Sequence, residues 1–561
     1  MSRIDVSIIV PVFNQWPHTE ACLRSLAVSA STAVRSAEIL LADDGSSDET
    51  ATRWRHFEGG PWPLRYHRNP ENLRFLRNCN EAARRAQARY LCFLNNDVEV
   101  PAGWLDTLLA TLESNPKIGA VGPVFLDGFG RILECGAIVH SDGTARQLGQ
   151  GASLTDRRYL YRNDVDYVSA ACLLLRAELF WKFGGFDERY APCYYEDTDL
   201  CLKVAAEGLR VVVDPRVRIV HHEGSSNGAD TGSGLKRYQE INRDRFYKRW
   251  RTRLLSDHPS AEEELVDRMR IWRRRQVVVC HSPHVPTWDQ VSHGRSTWAC
   301  VLDLADRGWH VVVVSPDSPS GSTEALHAAG IETVQARWGG DHDCLQLIRA
   351  YRPLAVLFEG TESERAFGKS YQEFSPDTVR LVDASQASFL RTALVRSAAG
   401  PAVVESTFDP RSLAPDELSE VASTMRSDAT LVGSDEDRRL LMDLLFFDKD
   451  RVQAIGAESD DRRESAAANA LLNLIADAQA LRKESSRWSL ASRLLWHALG
   501  YPGEPEDFRR VQKLLTAQLD SQRAVVEQYR LTLQHHQASE ARIARELHQS
   551  LGAGRKILQR T

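Results

Sequence analysis

Short apolar runs alternate with amphipathic stretches along the first 250 residues. Buried strands are predicted at VSIIVPVF (6–13), EILLADD (38–44), LRYHRN (64–69) and YLCFLNND (90–97). Between them, EACLRSLAVS (20–29) and LRFLRNCNEAARRAQ (73–87) have the spacing of helices with one apolar face. The alternation predicts an α/β domain over residues 1–250, with a parallel sheet and helices on both of its faces.

A highly charged stretch, residues 251–275, predicts a helical linker. A new strand pattern follows it, at QVVVC (276–280), WHVVVVS (309–315), LAVLF (354–358), 378–383 and 429–433, with helices between. This pattern predicts a second α/β domain over residues 276–456.

Strand signals end beyond this second domain. Residues 457–503 are predicted to be helical, and from 504 to 561 most apolar residues recur at steps of three or four, as a coiled-coil seam requires. Gln522, His536 and Glu540 interrupt the seam. Two hypotheses therefore stay open: a coiled coil that joins copies of the chain into a homo-oligomer, and a single helix packed on the second domain.

Composition narrows the class of protein. At 561 residues the chain is too long for one hydrophobic core, and its net charge of −6 argues against a dedicated nucleic-acid-binding protein. The ten cysteines form no CxxC pair, which favours buried thiols over disulfides or a zinc site. No window approaches the roughly 18 apolar residues of a membrane span. The protein is predicted to be cytoplasmic, and the amphipathic segment 485–500 fits either peripheral contact with the inner face of the cell membrane or burial against the second domain.

Polar residues follow three of the predicted strands: Asn14, Asp43-Asp44 and Asn95-Asn96-Asp97. Because ligands gather at the carboxyl ends of parallel strands, these side chains are expected to meet at one edge of the sheet. A carboxylate there can bind Mg²⁺ or Mn²⁺ while phosphate oxygens and water complete the coordination. The alternative is an ordinary turn, for which Asn-Asp at a strand end is typical.

Two further clusters contain residues that could act in catalysis or in metal binding. CYYEDTDLCLKVAAEG (193–208) begins a helix with Glu196 and Asp197 in its first turn, where they fit either simple capping or a general base toward a hydroxyl. In VRIVHHEGSSNG (217–228) a strand ends at His221-His222. Since neighbouring strand residues point to opposite faces, one histidine at most can face the site as a metal ligand, and a surface histidine pair is the alternative.

The order of these motifs resembles the family 2 inverting glycosyltransferases of GT-A fold. The motifs are PVFN, DDGSSD, NPENLRFLRNCN, LNNDVE, GGFDERY, YYEDTDLCLK and VHHEGSS, and the resemblance covers residues 5–255. It implies transfer of a sugar from a nucleotide diphosphate donor, UDP- or dTDP-linked, to a hydroxyl of a free or lipid-linked glycan. The product would be a bacterial surface glycan of O-antigen or capsule type.

The resemblance also implies roles for individual residues. Asp97 and His221 would bind Mn²⁺ or Mg²⁺, with His222 as the other choice, while Asp197 would be the catalytic base and Glu196 would support the acceptor or orient the base. The nucleotide sugar would lie against Pro11, Phe13, Asn14, Asp43, Asp44, Asn72, Asn80, Asn95 and Asn96. Arg74 and Asn95 depart from the family pattern, which usually has glycine and aspartate at these positions.

The second domain carries a weaker resemblance. CHSPHVPTWDQVSHGRSTWACVLDLADRGWHVVVVS (280–315) resembles the opening of a GT-B glycosyltransferase N-terminal domain, where Asp289 and Gly294 would face the acceptor. The second half of a GT-B enzyme is missing, which implies a catalytically incomplete domain that binds acceptor or assists assembly. A generic Rossmann-like domain is the alternative.

Two other functions stay open for the whole chain. One is a non-catalytic scaffold that binds nucleotide sugars in a polysaccharide assembly complex. Such a scaffold would have no use for the base at Asp197. The other is a nucleotidyltransferase, but PVFNQWPHTE after the first strand lacks the glycine-rich basic loop of such enzymes.

Overall fold

A computed structural model describes most of the first 390 residues. The described residues are 4–29, 36–57, 62–222, 236–261, 276–286, 296–317, 321–390, 414, 416–417, 420, 423–424, 427–445, 452–454 and 475–476. They divide into two compact units, one running through Asp383 and the other starting at Ala384. The predicted coiled coil over 504–561 lies outside the described residues, as does the helix predicted over 457–503 except for Ile475 and Ala476.

Within the described residues up to 261, the first unit has twelve strands and seven α-helices. The strands are β1 (Val6–Val12), β2 (Ala37–Asp43), β3 (Leu64–Arg68), β4 (Tyr90–Leu94), β5 (Val98–Glu99), β6 (Ile118–Leu126), β7 (Ile132–Glu134), β8 (Ala137–Val139), β9 (Ala145–Gln147), β10 (Asn163–Asp164), β11 (Cys172–Arg176) and β12 (Arg210–His221). The helices are α1 (Trp16–Val28), α2 (Thr50–Arg53), α3 (Arg74–Arg85), α4 (Trp104–Ser114), α5 (Ala177–Lys182), α6 (Glu196–Ala206) and α7 (Tyr238–Asp257). Short 3₁₀ turns lie at Trp54–Phe57, Arg157–Tyr159 and Glu188–Tyr190.

These strands form a mixed sheet in the order β10-β12-β6-β11-β4-β1-β2-β3, with β5 on β12 and β7 on β6. The parallel arrangement predicted for the first four strands is confirmed, because β1 pairs in parallel with β2 and β4, and β2 with β3. The sheet is not parallel throughout, since β11 runs antiparallel between β4 and β6. Separately, β8 and β9 form a two-stranded hairpin.

Both faces of this sheet are buried. Ile8 and Val10 of β1 pack with Leu23 of α1 and Leu105 of α4, while Ile9 belongs to the core on the opposite face. A strand covered by helices on both sides has no polar face to alternate with. This explains why VSIIVPV is apolar at nearly every position.

A second sheet of the first unit is parallel, in the order β15-β14-β13-β16-β17. Its strands are β13 (Val277–His281), β14 (His310–Ser315), β15 (Glu332–Gln335), β16 (Ala355–Glu359) and β17 (Val379–Asp383), and its helices are α8 (Ser296–Asp306), α9 (Gly321–Ala328), α10 (Asp341–Tyr351) and α11 (Gly360–Phe374). The other unit contains β18 (Ala429–Val432) parallel to β19 (Val452–Ala454), with α12 (Asp435–Leu445) between them. The sequence predicted these strands apart from β15 and β19.

The start of the predicted linker belongs to a packed helix. Residues 251–257 continue α7, and Leu254 is fully buried in the core of the first sheet. Just beyond the helix, the buried ring of His258 lies 3.0 Å from the carbonyl oxygen of Val139. Residues 262–275 lie outside the described residues.

Two global predictions can be compared with the structure. None of the helices within the described ranges is long and apolar enough to cross a membrane. Nine of the ten cysteines have a described side chain, and all nine are buried thiols, as predicted.

Candidate active site

The carboxyl ends of β1 and β4 open into a cavity of about 1000 Å³. Eleven of the thirteen predicted site residues line it: Pro11, Phe13, Asn14, Asp44, Asn72, Asn95, Asn96, Asp97, Glu196, Asp197 and His221. The parallel strands bring the first of these to one edge, and the start of α6, the end of β12 and the first part of α7 complete the wall. Residues scattered over more than two hundred positions therefore share one space.

Asp43 and Asn80 lie outside the cavity lining and hold the surrounding loops instead. Asp43 accepts hydrogen bonds from the Ser46 backbone N–H at 2.8 Å and the Tyr66 hydroxyl at 2.5 Å. The Asn80 amide donates to the Phe186 carbonyl at 2.8 Å and accepts from the Phe186 N–H at 2.9 Å. This placement gives both residues a structural role, and contact with a nucleotide stays a prediction for them.

Asp44 fixes the turn that leads into α3. Its buried carboxylate accepts from the backbone N–H groups of Leu73 and Arg74, both at 2.8 Å, and from the Asn69 amide at 2.9 Å. Arg74 has a φ of +68°, the left-handed conformation that glycine adopts most easily. The departure from the family's glycine is therefore accommodated by the two hydrogen bonds to Asp44.

Asp97 and His221 lie next to each other in the lining of the cavity. The antiparallel pairing of β5 with β12 places His221 opposite Val98, and His221 Nε2 lies 3.4 Å from Asp97 Oδ1. That carboxylate oxygen is buried and has no hydrogen-bond partner among the described residues. His222 points elsewhere, with its Nε2 2.8 Å from Glu99 Oε1.

These two side chains fit a divalent cation that is shared with a ligand. Within the described residues there is no cluster of three acidic, histidine or cysteine side chains that could hold a metal alone. An orphaned carboxylate oxygen beside an imidazole nitrogen offers two ligands, and Mg²⁺ or Mn²⁺ commonly completes its coordination with phosphate oxygens and water. The donor set therefore suits a metal that binds together with a phosphorylated substrate.

Glu196 and Asp197 stand at another wall of the cavity, in the first turn of α6. Asp197 accepts from the N–H groups of Ala170 at 3.1 Å and Thr198 at 2.7 Å, which fixes both carboxylate oxygens. Burial raises the pKa of Asp197, and burial with the charge of Asp197 raises the pKa of Glu196 further. A carboxylate with a raised pKa is a stronger proton acceptor than an ordinary one.

One face of α7 holds the turn before these acids. Asn242, fully buried, donates its side-chain N–H groups to the carbonyls of Tyr190, Cys193 and Tyr194 at 2.7, 2.8 and 3.0 Å. Four and eight residues later on the same helix face, Phe246 packs on the Tyr195 ring and Trp250 donates to Asp199. The NxxxFxxxW spacing in the sequence was the available signal for this support.

Several cavity residues were missed by the sequence analysis, Glu134 above all. It ends β7, is buried, and its Oε2 accepts from Gln147 Nε2 at 2.9 Å. Burial first, and then the charge of Asp197, raises the pKa of Glu134 to about 7. The available signal was one acid inside the apolar segment ILECGAIV (132–139). Arg146, Lys236 and Arg243 also line the cavity and were not predicted.

Comparison with known proteins assigns a family to the first part of the chain. Residues 7–182 match the family model for glycosyl transferase family 2. The chain is 30% identical over 261 residues to the uncharacterized protein y4gI of Sinorhizobium fredii, covering 45% of this chain and 28% of that protein. It is 39% identical over 158 residues to the O-antigen biosynthesis protein RfbC of Myxococcus xanthus, covering 27% of this chain and 12% of that protein. The chain thus spans about a quarter of the first relative and about an eighth of the second.

A third relative is covered over most of its length. It is the N-acetylglucosaminyl-diphospho-decaprenol L-rhamnosyltransferase of Mycobacterium tuberculosis, 28% identical over 247 residues, which cover 41% of this chain and 79% of that enzyme. Among solved structures, GalNAc-T7 with UDP, GalNAc and Mn²⁺ matches with a TM-score of 0.37 at 14% identity, covering 48% of this chain and 54% of that one. The family match and the relatives found by sequence identify residues 7–182 as a family 2 glycosyltransferase domain.

Proposed function

We propose that the chain is an inverting, metal-dependent glycosyltransferase that moves a sugar from a nucleoside diphosphate to a hydroxyl of a bacterial surface glycan, on the cytoplasmic side of the membrane. The observation that carries this proposal is that Asp97 with His221, and Asp197 with Glu196, face one cavity. The first pair has the donor set for a metal, and the second has a fixed, buried carboxylate.

Asp97 and His221 would hold Mn²⁺ or Mg²⁺ together with the diphosphate of the donor. When bound, the cation supplies electrostatic stabilisation to the negative charge that develops on the leaving nucleoside diphosphate. Asn95 and Asn96 line the cavity beside them, and the Asn96 amide is fixed by a 2.9 Å hydrogen bond to Thr19.

Asp197 would take the proton of the acceptor hydroxyl. Its carboxylate is held by two backbone N–H groups, so the acceptor oxygen would meet a proton acceptor of fixed position. Glu196, buried beside it, would support the acceptor or orient the base. One displacement assisted by one base inverts the anomeric configuration of the transferred sugar.

The nucleoside would lie against the cavity residues that come from the N-terminal part of the chain. Phe13 is 47% exposed at the cavity, and an exposed ring offers a surface on which a base can stack. Asn14, Asp44 and Asn72 lie along the same wall, and the guanidinium of Arg74 adds a positive charge. UDP- and dTDP-linked sugars are the proposed donors.

The relatives support a role in surface glycan synthesis. One of them is named for O-antigen biosynthesis, and another for rhamnosyl transfer to a diphospho-decaprenol-linked sugar. A lipid-linked glycan is accordingly the proposed acceptor. For the regions beyond the family 2 domain, we propose acceptor binding or assembly by a partial GT-B-like domain and homo-oligomer formation through the C-terminal helix.

The test is nucleoside diphosphate release from a panel of UDP-, GDP- and dTDP-sugars by the full chain with Mn²⁺. Release from one donor class is expected. Asp97→Ala should abolish it, and Asp197→Asn should lower it by about 10²- to 10⁴-fold, the range of general-base catalysis. The matched control is His222→Ala, because that ring bonds to Glu99 outside the cavity lining and its loss should leave the rate within about twofold of wild type.

Two results would count against the proposed function. If no donor is cleaved while UDP still raises the thermal midpoint in the presence of Mn²⁺, the chain is either a nucleotide-sugar-binding scaffold or a transferase that cleaves its donor only with the acceptor bound. If Asp97→Ala retains full activity, the proposed metal site is wrong.

A further inference from the structure

A buried acidic residue faces the cavity without a task in the chemistry proposed above. Glu134 is 5% exposed, and its Oε2 accepts a 2.9 Å hydrogen bond from the amide of Gln147, which also lines the cavity. No lysine or arginine in the described part of the chain forms an ion pair with Glu134. Burying a carboxylate without a cation beside it costs free energy. No ion pair offsets this cost for Glu134, so its presence in the cavity wall needs another explanation.

The pairing of β7 with β6 sets Glu134 near the proposed metal-binding residues: it lies opposite Phe125, whose ring centroid is 5.3 Å from that of His221. Asp197 and His221 line the same cavity as Glu134, and burial first, then the negative charge of Asp197, raises the pKa of Glu134. Asp197 belongs to the proposed proton-accepting end, and His221 to the proposed metal end. Glu134 therefore lies beside a substrate that fills the space between Asp197 and His221.

The geometry of the displacement reaction determines which part of the substrate occupies that space. The attacked carbon lies roughly in line between the incoming acceptor oxygen and the departing oxygen of the diphosphate. The acceptor oxygen must be near Asp197 and the diphosphate near Asp97 and His221. The sugar ring of the donor is thus the part of the substrate between the two ends.

We propose that Glu134, held in place by Gln147, binds a hydroxyl group of the donor's sugar and thereby selects which sugar is transferred. The inference rests on the proposed function and adds a specificity-determining residue to it. A site built to hydrogen-bond one hydroxyl discriminates strongly against sugars that lack it, because the buried polar group is then left unpaired. The neighbouring phenol of Tyr167 lines the same part of the cavity.

The experiment compares binding of nucleotides with and without a sugar. The full chain with Mn²⁺ is titrated by calorimetry with UDP, GDP and dTDP, and with UDP-glucose, UDP-N-acetylglucosamine, GDP-mannose and dTDP-rhamnose. Wild type is compared with Glu134→Ala and Glu134→Gln. Glu240→Ala is the matched control, since Glu240 is an exposed acid on the same cavity.

Glu134→Ala should weaken binding of the preferred nucleotide sugar by roughly ten- to a hundredfold, the effect of losing a hydrogen bond to a charged group. The affinity for the free nucleoside diphosphate should change by less than about twofold, because Glu134 flanks only the sugar. Glu134→Gln keeps the volume and an oxygen that can accept from Gln147. It should fold like wild type, lose less affinity than the alanine variant, and show an altered ranking of the four sugars.

The outcomes separate the inference from the function on which it rests. Equal weakening of the sugar-free and sugar-bearing nucleotides would overturn the inference, because it would show a general effect on the site. Unchanged sugar affinity in Glu134→Ala, with wild type binding and cleaving a donor, would overturn the inference alone. If wild type binds none of the nucleotides, the proposed function fails and the inference with it.

Discussion

Left-handed backbone conformations concentrate around the cavity. Five of the six non-glycine residues with positive φ in the described part of the chain line it: Asn14, Gln15, Arg74, Tyr194 and Tyr195. Each costs on the order of 1–3 kcal/mol unless the surroundings enforce it. The Arg74 N–H donates to the Asp44 carboxylate, and the Asn242 amide donates to the Tyr194 carbonyl, and these hydrogen bonds enforce the conformations of Arg74 and Tyr194. The loops that would hold the substrate are thus fixed by hydrogen bonds within the protein.

Glu134 should destabilise the fold at neutral and alkaline pH. Burial raises its pKa from 4.5 to about 7, so between these values the folded chain keeps a proton that the unfolded chain has lost. The free energy of unfolding therefore falls as pH rises through this window. Glu134→Gln should be more stable than wild type at pH 8, by up to about 3 kcal/mol, and equal to it at pH 4.

Thermal or urea unfolding of both proteins across this pH range measures the difference. Gln150→Ala, an exposed substitution on the same cavity, controls for general effects of altering the wall. A stability gain that grows toward acid pH would contradict the assignment of the raised pKa to Glu134.

The sequence analysis named residues with strong local signals, and these line the cavity, but it did not name residues that act through distant contacts. Asp97 and Asp197 stand out in sequence because acids at strand ends and helix starts are unusual after apolar runs. Glu134 is one acid in an apolar segment, and Asn242 is one amide in a charged helix. Their importance depends on Gln147 and on the turn at Tyr190–Tyr194, which only the fold brings near.

At the scale of elements, the position of α6 depends on a glycine in β6. A Cβ atom at Gly119 would lie 2.5 Å from Val204 Cγ1 of α6 and 3.1 Å from Leu209 Cβ. Real side chains do not approach so closely, so alanine at this position would push the helix away from the strand. Because Glu196 and Asp197 begin that helix, the displacement would reach the cavity.

Gly119→Ala should therefore impair both folding and catalysis. We expect a loss of about 1–3 kcal/mol in the free energy of unfolding, the usual range for overpacking, and slower nucleoside diphosphate release. Gly128→Ala is the control, since a Cβ there meets nothing within 4 Å. Urea unfolding and the release assay measure the two effects. Equal behaviour of the two variants would show that α6 adapts without cost.

The longer strands were predictable because apolar runs of five or more residues carry a strong signal. The short strands were not, since two or three residues have no periodicity. One of them, β5, spans Val98–Glu99 and pairs with β12, which sets His221 beside Asp97. The strand β11 was itself not among the predicted strands, and its antiparallel direction has no local signal, because a fully buried run such as CLLLR looks the same in either orientation.

At the scale of the molecule, buried contacts join the two sheets of the first unit. The Arg162 backbone N–H donates to the His327 carbonyl at 2.9 Å, and its guanidinium donates to Ser114 Oγ at 3.1 Å. The fully buried Tyr161 ring lies 5.6 Å from that of His310, which pairs with Glu332 in the second sheet. The sequence predicted both α/β regions, but no local pattern signals contacts between residues so far apart.

These contacts lead us to expect that the two sheets unfold as one cooperative unit. Val313→Ala removes two buried methyl groups from β14 and should lower the free energy of unfolding by about 1–3 kcal/mol. Amide hydrogen exchange should then accelerate by a similar factor in peptides from β14 and from β1, although β1 lies in the other sheet. Glu373→Ala, an exposed change on α11, should alter neither. Acceleration confined to β14 would mean that the Arg162 and Tyr161 contacts open before either sheet does, and that the family 2 domain keeps its fold without the second sheet.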